Sequence, residues 1–130
     1  MDSWANQLKD ALYDSCKALR EFVAGYDVEF VTLANALFRL MNDEEGQDEL
    51  ARHIRNQLSF LRGNLWEANR RLTELAQKMN IPLPPMRIPP IPDGYEVETL
   101  TVSLDKISRG FEQFCANLEL CQKVMKGQKQ

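Results

Sequence analysis

The sequence predicts an all-α domain, a three- or four-helix bundle in which two long heptad-patterned helices are joined by a proline-rich extended strap. Three observations predict it. Leu100, Leu104, Ile107, Phe111, Phe114, Leu118, Cys121 and Met125 are spaced four-three-four-three, the 3.5-residue apolar repeat of a helix that packs along its whole length. Ile54, Leu61, Leu65, Ala68, Leu72, Leu75 and Met79 form a second seam, with Leu58 beside it and polar Gln57 at one seam position. All 6 prolines fall between Pro82 and Pro92, where missing N–H donors and a fixed φ forbid a helix.

The first helix is expected over about 3–24, with Ser3 as N-cap and Trp4, Leu8, Leu12, Cys16, Leu19 and Val23 as its buried stripe. Gly25 stands where a C-terminal stop residue is expected, and Asp27 can cap a second helix over about 28–41. That helix is expected to bury Phe30, Leu33, Ala34, Leu37 and Met41. The Gly25-Tyr26-Asp27 joint reads equally as a tight turn, which yields four helices, or as a kink in one rod. Gly46 breaks the chain before a long helix over about 48–80.

The linker, 81–94, is expected to run extended along the bundle, with Ile81, Leu83, Met86, Ile88 and Ile91 as apolar contacts. Val97, Thr99, Thr101 and Val102 have β-favouring side chains, but a lone strand would have no partner in this chain. The seam that begins at Leu100 therefore decides for a last helix over about 97–126, with Asp93-x-x-Glu96 as a capping box.

One domain, 1–130, suits the length, and 44% hydrophobic residues are enough for a core. A net charge of −3 argues against nucleic acid as a partner, because phosphate binding needs a basic surface. Cys16, Cys115 and Cys121 are widely spaced and odd in number, with no CxxC. No apolar leader or transmembrane run is visible, so a cytoplasmic location with reduced thiols is expected. The run Asp43, Glu44, Glu45, Asp48, Glu49, followed by Arg52, Arg55, Arg62, Arg70, Arg71 and Lys78, matches helix electrostatics: acids near an N-terminus, bases toward the C-terminus.

Chemistry-bearing patterns are weak. His53 is the only histidine, and Glu49 lies four residues before it, whereas di-iron bundles use Glu-x-x-His on facing helices. The acidic run resembles one half of a Mg²⁺ cage, but no second acidic pair follows to complete it. Arg52 and Arg39 lack the spacing to His53 that helical nucleases use. Cys16 and Cys121 sit on apolar stripes, and Cys115, at a seam edge, is the most exposed candidate thiol. No cofactor, metal or catalytic residues are therefore assigned. Trp66-Glu67-Ala68 lies within a helix and lacks the Trp-x-Gly turn of small secreted helical hairpins.

The linker carries the sharper motif. Ile81-Pro82-Leu83-Pro84-Pro85-Met86-Arg87 fits Φ-P-x-Φ-P-x-basic, in which a polyproline II helix offers two x-Pro ridges and an arginine to an SH3-type groove. Pro82, Pro85 and Arg87 are its candidate contacts, and a plain structural strap is the other reading. Trp66 and Phe60 either widen a packing face or, if exposed, anchor a protein interface. The expected function is a non-enzymatic helical interaction module, an adaptor, assembly factor or chaperone-like subunit. Coiled-coil packing is expected, with Leu100, Leu104, Ile107, Phe111, Phe114 and Leu118 as the principal packing surface and Leu61, Leu65 and Leu72 as further packing residues; self-association, most simply as a two-fold homodimer, is also expected, and the spacing leaves open whether these seams are core within one chain or interface between two. The alternatives are a Mg²⁺-dependent nucleotide hydrolase using 43–49, or an amphipathic coat on a surface.

Overall fold

Three long helices and one extended connection make up the computed structural model, which describes residues 2–42 and 47–127, with side chains described at 10, 14–42 and 48–125. They are α1 (Asp2–Asn42, 41 residues), α2 (Gln47–Lys78, 32 residues) and α3 (Val97–Gly127, 31 residues). Each packs on the other two, and there is no strand among the described residues.

The joint expected at Gly25-Tyr26-Asp27 is not a turn: α1 runs through it as one helix. Its inner residues explain why. Cys16, Leu19, Val23, Tyr26, Phe30, Leu33, Leu37 and Leu40 are spaced three-four-three-four without interruption, and all are buried or half-buried in the core. Glycine inside a helix costs about 1 kcal/mol, less than burying one large side chain on that seam contributes. Reading Gly25 as a stop hides Tyr26 and Leu40 and puts Ala34 and Met41 inside, whereas both are exposed. The helix starts at Asp2, so Ser3 lies within its first turn. The side chains of Trp4, Leu8 and Leu12, and residues Asp43, Glu44, Glu45 and Gly46, fall outside the described residues.

Tyr26 joins all three helices. Its side chain is 2% exposed, its Oη donates to the Leu61 carbonyl of α2 at 2.8 Å, and its ring stacks on Phe111 of α3 at 4.6 Å between centroids. Phe22 and Phe30, one turn to either side, pack on the same ring at 5.1 and 5.0 Å. Phe22 also meets Phe114 edge-on at 5.8 Å, and Cys16 Sγ lies 3.3 Å from Met125 Sδ. Rising numbers on α1 thus meet falling numbers on α3, so these two helices are antiparallel. Tyr26 against Leu61, and Ser15 to Phe22 lining one groove with Asn64 to Lys78, make α1 and α2 antiparallel as well. It follows that α2 and α3 run parallel.

Parallel neighbours need a connection as long as themselves. Helix α2 ends in a Schellman turn: Asn80 takes φ 57°, its N–H donates to Gln77 O at 3.2 Å, and the Ile81 N–H donates to Ala76 O at 2.9 Å. From there the chain travels back toward the start of α2. Pro84 O accepts from Asn117 Nδ2 at 3.0 Å, Ile88 O and Pro89 O accept from Arg62 at 3.4 and 3.1 Å, and Asp93 meets Arg55 at 3.1 Å. The Asp93/Glu96 capping box does not form, because α3 begins only at Val97: Glu96 takes the cap position and its O accepts the Leu100 N–H, while Gly94 takes φ 134° and Asp93 pairs with Arg55. Sixteen extended residues span about 50 Å, close to the roughly 46 Å of a 31-residue helix. The connection sits closest over Gly110, where a Cβ would come within 2.9 Å of Ile88 Cγ1.

Two outcomes test this packing. Tyr26→Phe keeps the aromatic stack and removes the hydroxyl that donates to the Leu61 carbonyl, so urea unfolding is expected to lose about 1–2 kcal/mol, against about 3–5 kcal/mol for Tyr26→Ala. Gly63 and Gly110 are both inside helices, but only Gly110 faces the connection. Gly63→Ala is expected to gain about 0.5–1 kcal/mol from helix propensity, while Gly110→Ala shows no gain because Ile88 must move.

Candidate interaction surface

The heptad residues expected as the principal packing surface lie in the core of the single chain. Leu100, Ile107, Phe111, Phe114 and Leu118 of α3 and Leu61, Leu65 and Leu72 of α2 are buried, and Leu104 is half-buried at the edge facing α1. Three mutually packed helices satisfy these narrow seams internally, which leaves other residues to meet any partner.

The polar groups of α2 are engaged with the rest of the chain. Arg55 and Arg62 hold the connection, as above, and Arg52 and Arg55 each lie 5.9 Å from the Tyr95 ring centroid. Arg70 pairs with Glu67 and Glu74 on its own helix at 2.5 and 2.7 Å, which holds the Glu67 carboxyl below its usual range. Arg71 reaches Glu67 at 3.8 Å. The basic run of α2 therefore ties down the connection and its own helix surface. His53, Asp48 and Glu49 are exposed, and Asp43, Glu44 and Glu45 fall outside the described residues. Among the described residues no group of three or more His, Cys, Asp or Glu side chains could hold a metal ion, and no helix is long and apolar enough to cross a membrane.

The cysteines are unactivated. Burial pushes the Cys121 thiol up to about 11, with Cys16 adding to the shift, and burial also raises Cys16. Cys115 is half-buried, and its thiol is raised by burial and by the nearby carboxylates of Asp27 and Glu112. A nucleophilic cysteine needs the opposite, a cation or helix N-terminus beside it.

The connection presents its two aspects differently. Leu83 and Met86, the two x positions of the Φ-P-x-Φ-P-x-basic motif, pack against the core, while Pro82, Pro84, Pro85 and Arg87 are exposed. Polyproline II repeats every three residues, so one ridge lies inward and the proline-arginine edges lie outward.

Exposed apolar side chains concentrate on α1. Val28, Val31, Phe38 and Met41 are between 61 and 67% exposed, and Ala34 is exposed among them. Val31, Ala34, Phe38 and Met41 follow a three-four-three spacing, a second heptad seam one residue on from Phe30, Leu33, Leu37 and Leu40 and so about 100° around the helix from the inner one. Its flanks are Asn35 and Asn42; the charged residues of this stretch, Glu29 and Arg39, lie off the stripe by helical geometry. Beside it runs a groove of about 570 Å³ between α1 and α3, where Phe30, Val31 and Ala34 face Thr101, Leu104 and Phe111, with the carboxylates of Asp27, Asp105 and Glu112 also lining it. Phe60 and Trp66 on α2 are 65 and 55% exposed and stand apart from each other and from this stripe. Sequence reasoning missed the stripe because it assigned Ala34 and Met41 to the core. Carrying the register through Gly25 separates the two seams.

Comparison with protein-family models, with curated proteins and with solved structures finds no match.

The buried phenol and thiol make a pH prediction. Both are protonated in the fold, with acidities weakened by burial, while an unfolded chain ionises them from about pH 9 to 10. Stability is therefore full below pH 9 and falls as pH rises through 11. Thermal or urea unfolding should register a loss of about 2–3 kcal/mol from Cys121 alone, reduced in Cys121→Ala.

Proposed function

We propose that this protein is a non-enzymatic helical interaction module, and that it meets its partner through the outer seam of α1. One observation carries the reading: a heptad-spaced apolar stripe, Val31, Ala34, Phe38 and Met41, about three turns long, is left exposed by a chain whose inner seams on all three helices are used in its own core. Scattered surface apolar residues need no explanation, but a contiguous stripe costs solubility and marks a protein contact. In this reading the proline-rich connection is a strap: it lets α2 and α3 lie parallel and so fixes which face of α1 stays open. Its outward edge of Pro82, Pro85 and Arg87 is a secondary contact of peptide-ligand type.

Site-specific photo-crosslinking in the native cell tests the reading. Benzoylphenylalanine replacing Phe38 should give one or a few discrete adducts, and the same group replacing exposed Arg109 on α3 should give none. Equal, diffuse labelling at both positions would mean that the α1 face has no dedicated partner.

A further inference from the structure

We propose that Cys16, Cys121 and Met125 form a binding site for one Cu(I) ion, held by three sulfur atoms where the first half of α1 meets the end of α3. Helix register puts the two cysteines level. From the Tyr26–Phe111 stack, each step back along the α1 seam matches a step forward along the α3 seam. Val23 comes level with Phe114, Leu19 with Leu118 and Cys16 with Cys121, in keeping with the Phe22–Phe114 contact at 5.8 Å. Met125 is one turn beyond Cys121 on the same face of α3, and its Sδ lies 3.3 Å from Cys16 Sγ. Both thiols are buried, and each is near enough to feel the other's charge.

Packing alone does not call for these residues. Every other described seam position on α1 and α3 is Leu, Ile, Val or aromatic. Here two small thiols face each other instead, and a flexible, polarizable thioether closes over them.

The donor set selects the ion. Among the described residues no histidine or carboxylate joins the two thiols as a third ligand. Structural Zn²⁺ takes four ligands, thiolate or imidazole, while Mg²⁺ and Ca²⁺ require oxygen. Thiolate and thioether together suit Cu(I), a soft ion that accepts few ligands. Binding moves no electron. The ion enters as Cu(I), each thiol gives its proton to solvent, and two thiolate–copper bonds and one thioether–copper bond form. One net negative charge then remains, and the Arg20 guanidinium, one turn along from Cys16, favours the thiolate there. Met125 is half-buried, which leaves the ion a way in from the end of the bundle.

The test titrates the full-length chain, reduced and kept from air, with Cu(I) in competition with bicinchoninate, a colorimetric Cu(I) chelator. One ion per chain should be retained, and X-ray absorption should show a shell of three sulfurs. Saturating Cu(I) should raise the melting temperature, because the ion favours the fold that gathers its donors. Met125→Leu keeps size and apolarity, so metal-free melting should stay nearly unchanged. Its ion should pass to the chelator at least about tenfold more readily, the scale on which changes even outside a ligand shell act. Cys16→Ser and Cys121→Ser should each abolish retention, and Cys115→Ser should leave it as it was. If either buried serine prevents folding, Met125→Leu decides. Loss of the first equivalent to the chelator, or retention indifferent to Met125→Leu, overturns the proposal. So does a melting temperature lowered by Cu(I), which would mean that the ion prefers the loose thiols of the unfolded chain. Zn²⁺ held as tightly as Cu(I) overturns the assignment of the ion.

Discussion

The fold depends on a phenol that must be satisfied where water cannot reach. Tyr26 is 2% exposed, so its hydroxyl needs an internal acceptor, and the Leu61 carbonyl supplies one at 2.8 Å. A buried hydroxyl without that bond would cost about 1–3 kcal/mol, which sets the longitudinal register of α1 against α2. The same ring stacks on Phe111, and Phe22 and Phe30 close around it, so α3 takes its register from the same residue. Apolar seams alone tolerate sliding by a heptad. A hydrogen bond to one particular carbonyl does not.

Once α1 is antiparallel to both neighbours, α2 and α3 must be parallel, and a short loop cannot join them. The proline-rich connection answers that constraint chemically. Its backbone donates few hydrogen bonds, so it can cross the bundle without seeking sheet partners. Its carbonyls still need donors, and those come from side chains at spaced points: Asn117 to Pro84, and Arg62 to Ile88 and Pro89. Gln113 in turn donates to Asn117 Oδ1 at 2.9 Å, which orients the amide toward Pro84. Gly110 lets Ile88 lie directly on α3 near Leu65. These are individually modest contacts, and they act together along the whole length of α3.

Helix content, the two seams on α2 and α3, and the unstructured run of prolines were all legible from residue spacing, because apolar periodicity reports which face of a helix is inward. Three features were not. The continuity of α1 through Gly25 was obscured because glycine is read as local punctuation, while the burial of Tyr26, Leu33 and Leu40 that overrides it comes from helices distant in sequence. The direction of α3 depends on the Tyr26–Phe111 stack, which no spacing encodes. The owner of the α3 seam was equally hidden, since a heptad repeat looks the same whether it faces a neighbour in its own chain or in another.

That last ambiguity is settled by counting faces. Helix α3 has one apolar face, and the other two helices cover it. Helix α1 has two: the inner run from Cys16 to Leu40, and the outer run from Val31 to Met41, set about 100°, a little over a quarter of a turn, apart around the same axis. A three-helix bundle can cover only one of them, because each helix touches two neighbours and the third side faces water. The proline-rich connection lies against α2 and α3, where Arg62 and Asn117 donate to its carbonyls, and not over the outer seam of α1. The outer seam is therefore left open by the described residues.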